Sequence, residues 1–317
     1  MNVDRRGFLK DVLAAGSGAA IAAANAPALA RSLIQETAPA ELPKVPGSLV
    51  LNLRRRRKVA NGPVILEENA GRWKASETAV IICDMWADHA CAMAAHRVDR
   101  MAPRMNEVIS LARDLGVAII HSPSGGIHHY ENTPFRDRIK RAKASQPPQP
   151  IKSWCYLDPE KEPPLPVVDN VSRINNGVTG CDDPVPRLLP DSDRHQHAAI
   201  KMAGYDVVSA DGPEIWNFLE QEGRKHIVLM GVHTNMCVLG RPFGIRQLTY
   251  LGKSVALCRD LTDALYDPRD EPHVSHKRGT EMIIEHIETH WCPSLLGVDL
   301  TKVEPGSDHI GASASKA

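Results

Sequence analysis

Aromatic side chains are scarce, 4% of 317 residues, so whatever core this chain buries is aliphatic. An excess of either charge is also missing. With 38 basic side chains against 38 acidic ones, there is no general attraction to a nucleic-acid backbone. One basic run, Arg54-Arg55-Arg56-Arg57-Lys58, reads as a charged edge strand or loop that discourages edge pairing. Beyond the N-terminal region no apolar stretch is long enough to cross a bilayer, so no stable membrane span is expected. Proline is the opposite case. It is concentrated in 122–197, in runs such as Pro147-Pro148-Gln149-Pro150 and Pro163-Pro164-Leu165-Pro166. Such a segment is not helical for long, and loops of that length are usually functional or disordered.

The N-terminus reads as a targeting segment rather than as fold. Arg5-Arg6 followed by Phe8-Leu9-Lys10 resembles a twin-arginine export signal, with a small-residue apolar region over 12–24 and a cleavage-like Ala28-Leu29-Ala30. Gly16 and Gly18 count against an amphipathic helix there. The expected organisation is a signal over 1–30, a Pro- and Ala-rich linker over 31–47, an α/β domain over 48–300 that carries the insertion 122–197, and a tail over 301–317. The resemblance implies a periplasmic or secreted bacterial protein.

Alternating periodicities place the elements. Residues 48–56 alternate as a strand, with 64–73 as its hairpin partner. Apolar runs at 79–84, 117–121, 198–201, 227–231 and 254–258 read as buried strands. Helical spacing of Met101, Met105, Val108, Ile109, Ala112 and Leu115 predicts a helix ending at Gly116. Further helices are expected over 213–222, from the cysteine turn to 251, and over 280–290. Strands alternating with helices make a three-layer α/β/α sandwich with a mainly parallel central sheet.

Seven cysteines allow some pairing with at least one thiol left free. Cys155 and Cys181 flank the Pro-rich region and could pair in an oxidising compartment. Cys83 and Cys258 sit in predicted strands as buried thiols, and the partners of Cys91 and Cys292 are left open.

The chemistry concentrates in Gly231-Val232-His233-Thr234-Asn235-Met236-Cys237-Val238, which follows an apolar strand and precedes a helix. A cysteine at such a turn stands at the sheet edge where open α/β folds bind ligands, and a helix N-terminus there lowers a thiol's pKa. A lone cysteine in this setting is more often a core residue, but two further signals change the balance. Asp84 ends another apolar strand, and Lys201 closes a third. A thiol, a carboxylate and an ammonium together make an activated nucleophile.

In this order the residues resemble the isochorismatase-like cysteine hydrolases, which include nicotinamidases and N-carbamoyl amidases. The resemblance covers about 79–265, and Asp211 matches the family's acidic residue before a helix. It implies a Rossmann-like sheet and a catalytic triad of Asp84, Lys201 and Cys237. It further implies cleavage of a C–N amide-type bond of a small molecule through a thioester on Cys237. Backbone N–H groups around His233 and Cys237 would hold the oxyanion, with Thr234 among the oxyanion and substrate-binding residues, after a peptide bond, Val232–His233, that is often cis in this family. Trp86 and His89 would line the substrate pocket. Nicotinamidases of the family carry a metal on an Asp-x-His pair in the segment after the second strand, and the segment that begins at His121 and runs to His129 has none, so no metal or other cofactor is expected. Asp88, His89, His121, His128 and His129 would be its candidate ligands. Two alternatives stand beside this reading: a non-catalytic exported binding protein on the same fold, and a metal-assisted nicotinamidase. Homo-oligomers are usual in the family.

Overall fold

The computed structural model describes residues 42–43, 45–60, 62–167, 180–185 and 194–305. The export signal, most of the linker and most of the tail lie outside them. The chain begins with an antiparallel hairpin, β1 (Ser48–Lys58) and β2 (Val64–Lys74), whose partners run from Ser48 with Lys74 to Lys58 with Val64. β3 (Thr78–Cys83) follows, then the long helix α1 (Ala92–Asp114), β4 (Ala118–Ser122) and a short helix α2 (Pro134–Lys140). After the insertion come β5 (Val207–Val208), α3 (Gly212–Gln221) and β6 (His226–Val232). The cysteine motif opens α4 (Cys237–Gly240), which is followed by α5 (Ile245–Tyr250), β7 (Ser254–Asp263), α6 (His276–His290), β8 (Ser294–Leu295) and β9 (Val303–Glu304).

The sheet order is β2-β1-β8-β7-β6-β3-β4-β5, with β9 on β1. From β8 to β5 every pairing is parallel, and the hairpin adds an antiparallel edge. This is the three-layer α/β/α sandwich. Alternation along β3 explains the two buried faces. Ala79, Ile81 and Cys83 join the core with α3 to α6, whereas Val80 and Ile82 pack with Val98, Met105 and Ile109 of α1. Full burial of aliphatic side chains of this size contributes about 1.5–3 kcal/mol each.

Three expectations need correction, and a fourth, that the insertion is not helical for long, agrees with the one short α-helix among its described residues. Residues 198–201 form a turn, not a strand, and the strand on β4 is Val207–Val208. The apolar run there packs Ile200 against the α1 layer without joining the sheet. The helix after Cys237 is broken in two. Pro242 excludes the helical region for the residue before it, and Arg241 is extended at φ −60°, ψ 158°. In the described part of the insertion the α-helix is the short α2, started by Thr133, whose hydroxyl accepts from Arg136 N–H, and by Pro134 at its first turn. The basic run is not at the sheet edge. β2 lies outside it, and Arg54 and Arg56 reach Glu288 and Glu285 of α6.

Candidate active site

β3 and β6 are neighbours in the sheet, so their C-terminal ends bring Asp84 and the cysteine turn together. Two backbone features make the approach possible. Gly231 has φ +106°, and a Cβ on it would lie 2.1 Å from the Cys83 carbonyl oxygen, which only glycine avoids. Asp84 itself has φ +49°, a conformation uncommon for a residue with a side chain. The Val232–His233 peptide is cis, as the resemblance implied.

Asp84 is fully buried. Its Oδ1 accepts a 2.7 Å hydrogen bond from Ser124 N–H, and its Oδ2 lies 3.4 Å from Arg241 Nε. The Cys237 thiol lies close enough to the same carboxylate and to Arg241 for each to shift its proton affinity. Burial raises the Asp84 carboxyl from its ordinary value, opposed by Arg241 and by the Cys237 and Ser124 hydrogen bonds. Burial and the Asp84 charge push the Cys237 thiol up, with Arg241 pulling it down. The expected depression by a helix N-terminus therefore does not prevail; α4 is a single turn, and removal from water outweighs it. Burial alone would lower the Arg241 guanidinium, but Asp84 and Cys237 together raise it.

Lys201 does not join this group. Its side chain is exposed, its N–H donates to Asn106 Oδ1 at 2.9 Å and its carbonyl accepts from Arg113, both on α1. The cation against Asp84 and Cys237 is Arg241. The sequence signal was present: Arg241 follows Cys237 at i+4, which returns to the same side of a helical turn. Gly240 between them is required because a Cβ there would lie 2.7 Å from the Trp154 ring, and the same ring sits 5.5 Å from the Arg241 guanidinium.

The remaining named residues divide. Trp86, His89 and His233 form one aromatic wall. The Trp86 and His89 rings stack at 5.7 Å, and His233 meets His89 edge-on at 5.0 Å. Trp86 Nε1 donates to the Ser124 carbonyl, and Arg194 lies 4.8 Å over its ring. Burial, reinforced by Arg194, lowers His89 to about 4, and burial with His89 nearby holds His233 well below its ordinary value. Both imidazoles are neutral at pH 7, and His233 Nε2 is buried without a hydrogen-bond partner. Thr234 is turned away: its hydroxyl pairs with Thr262 at 2.7 Å and its N–H with the Asp263 carbonyl. Both bonds tie the turn after β6 to β7.

The metal candidates do not converge. His121 is buried between Gln196 at 2.9 Å and Asp206 at 2.9 Å, whereas His128 and His129 are exposed, with their rings tilted against each other at 4.0 Å. Among the described residues no group of three or more His, Cys, Asp or Glu could hold a metal ion. Among the described residues, His121, His128 and His129 do not assemble a nicotinamidase-type metal site.

Part of the Pro-rich insertion covers this end of the sheet. Cys155 N–H donates to the Gly240 carbonyl at 2.7 Å, and Lys152 N–H to Gln247. Glu162 anchors it further through Arg246, His286 and Trp291. Between the insertion and α3 a cleft of about 390 Å³, lined by Lys152, Ser153, Asp211, Arg241 and Pro242, leads to the outer side of Arg241. Asp211 serves as the N-cap of α3, accepting from Glu214 N–H at 2.9 Å.

The isochorismatase domain model matches residues 78–279, a span that holds Asp84, Cys237 and Arg241. Solved structures are similar to the chain at low identity. A cysteine hydrolase from Pseudomonas syringae is 16% identical over 73% of this chain and 94% of that chain, with a TM-score of 0.41. An isochorismatase family protein from Burkholderia thailandensis is 12% identical over 71% and 93%, with a TM-score of 0.37. A nicotinamidase pyrazinamidase from Acinetobacter baumanii is 12% identical over 71% and 98%, with a TM-score of 0.36. No curated protein matches the chain.

Proposed function

Because the chain belongs to the isochorismatase family of cysteine hydrolases, we propose that it cleaves a C–N amide-type bond of a small molecule through a thioester on Cys237. The observation that carries this reading is the contact of one thiol, one raised carboxylate and one guanidinium at adjacent strand ends. Asp84 takes the thiol proton as sulfur attacks the carbonyl carbon, and Arg241 stabilises the negative charge that passes between them. Backbone N–H groups of His233 and Cys237 hold the oxyanion. The C–N bond then breaks, and the amine leaves with the proton from Asp84. Asp84 next deprotonates a water that attacks the thioester, which releases the acid and returns the proton to sulfur. Arg241 takes the role that the sequence resemblance assigned to Lys201.

The thiol is held protonated at rest, so it is activated as substrate arrives and reagent alkylation is a poor test. Rapid-quench intact-mass spectrometry over a panel of aliphatic, aromatic and N-carbamoyl amides is the better one. An acyl adduct on Cys237, with ammonia or amine released and both lost in Cys237→Ala, supports the reading. Undiminished turnover in Cys237→Ala ends it.

The second reading, an exported binding protein without turnover, is favoured by the raised thiol and by the position of Lys201. It expects a ligand from the panel to raise the melting temperature with no product formed. Steady product release abolished in Asp84→Asn rejects it. We further propose twin-arginine export to the periplasm or beyond, for which Lys at both positions 5 and 6 would leave precursor in the cytoplasm. Homo-oligomerisation is proposed on family resemblance, and light scattering on the mature chain tests it.

A further inference from the structure

Cys91 and Cys181 are far apart in sequence and meet in the fold. Cys91 is the residue that opens α1 and ends the loop bearing Trp86 and His89, and its N–H donates to His89 Nδ1 at 3.0 Å. Cys181 belongs to the described stretch 180–185 of the insertion. Both side chains are buried, at 0% and 7% exposure, and they share a small apolar cluster with Ala94 and Leu265. The Cys91 thiol is near enough to Cys181 to help raise it, after burial.

The neighbours hold this register from both sides. Cys91 Sγ lies 3.5 Å from Asp182 Oδ1, and Ala92 N–H donates to Asp183 Oδ2 at 3.0 Å. Arg97, further along α1, grips Asp182 through two hydrogen bonds of 2.7 and 3.1 Å and also reaches Asp263 at 2.8 Å. Residues 181 to 183 are thus all fastened to the start of α1. All seven cysteines are free thiols in this structure, and Cys155, which the sequence reading set against Cys181, lies elsewhere. Cys155 sits against Gln247 Oε1 at 3.3 Å instead.

We propose that Cys91 and Cys181 are a disulfide site, a covalent clamp between the insertion and the loop that carries the pocket wall. The oxidant is a small disulfide such as oxidised glutathione. One cysteine thiolate attacks a glutathione sulfur and expels one glutathione thiolate. The second cysteine thiolate attacks the mixed disulfide and expels the other. One protein S–S bond forms, one glutathione S–S bond breaks, and the two cysteine protons end on two reduced glutathione molecules. Burial raises the Cys181 thiol, which makes the exchange slow and favours mildly alkaline conditions. The inference stands independently of the hydrolytic reading.

The test uses the full chain carrying Cys237→Ser, so that the nucleophile takes no part, incubated with oxidised glutathione at pH 8.5. The expected result is an intact mass lower by two hydrogens and a non-reducing tryptic map that joins the Cys91 and Cys181 peptides. The melting temperature should rise by about 5 °C, since the bridge restrains a long loop of the unfolded chain. Cys91→Ser and Cys181→Ser should each abolish the mass change, and Cys155→Ser should keep it. Glutathione adducts without a bridge, a linkage to another cysteine, an unchanged melting temperature, or a chain that stays reduced where a model dithiol peptide is oxidised would each overturn the proposal.

Discussion

Two buried carboxylates each lie beside an arginine, and they behave in opposite ways. Glu162 accepts from Arg246 at 2.7 Å, His286 at 2.7 Å, Trp291 at 2.8 Å and Asp158 N–H at 3.3 Å. Burial would raise it, but these donors hold it down at about 2. Asp84 has one short backbone donor, a guanidinium at 3.4 Å and a thiol. Its donors do not offset burial, and its pKa is raised. Glu162 is a locked anion that ties the insertion to α5 and α6. Asp84 is an anion left under-solvated beside a proton donor, which is what a general base requires. Proximity to arginine does not separate the two roles. The number and quality of donors does.

Asp84→Asn should break the comparison most strongly. Turnover of any amide substrate should fall by about 1,000-fold, the range of a lost general acid–base. The melting temperature should rise. A raised carboxyl means that the folded state binds its proton more tightly than the unfolded state does, so ionisation at neutral pH works against folding. Lost activity together with lost stability would show that Asp84 is structural.

Glu162→Gln should do the reverse. Removing one member of a buried charged cluster costs about 3 kcal/mol, read as a lower denaturation midpoint, while turnover stays within a few-fold. The acid limb of stability should also flatten. The Glu162 contribution is fully present above its ordinary 4.5 and is lost as pH falls towards about 2. The variant should therefore lose less stability than the parent across that window.

Arg241→Gln should lower kcat/KM by about 100-fold, as expected for one charge-stabilising donor, with a smaller change in melting temperature than Glu162→Gln. Its position beside Trp154 makes it a contact of the insertion as well, so Arg241→Lys should recover part of the rate.

Much of this was legible in the sequence. The apolar runs of β3, β4 and β6 and the glycine at their crossing marked the sheet edge, and the cysteine turn and Asp84 fell where that edge placed them. Lys201 failed because four apolar and polar residues around it satisfy a strand pattern locally, whereas the sheet takes Val207 and Val208 instead. Its backbone is spent on Asn106 and Arg113. Arg241 was missed because Lys201 filled the place of the cation, although its i+4 spacing from Cys237 marked it and Pro242 marked the end of that turn. The Cys91–Cys181 contact depends on where the insertion returns, and no local pattern encodes that.

The central claim is that Asp84, Cys237 and Arg241 form the reacting set and Lys201 does not. Acyl-Cys237 accumulation and amine release, measured side by side for the parent chain, Lys201→Gln and Arg241→Gln, test it most directly. The account predicts that Lys201→Gln stays within about two-fold of the parent, as surface substitutions do, and that Arg241→Gln loses most of both signals. Loss of acylation in Lys201→Gln with Arg241→Gln unaffected would contradict it.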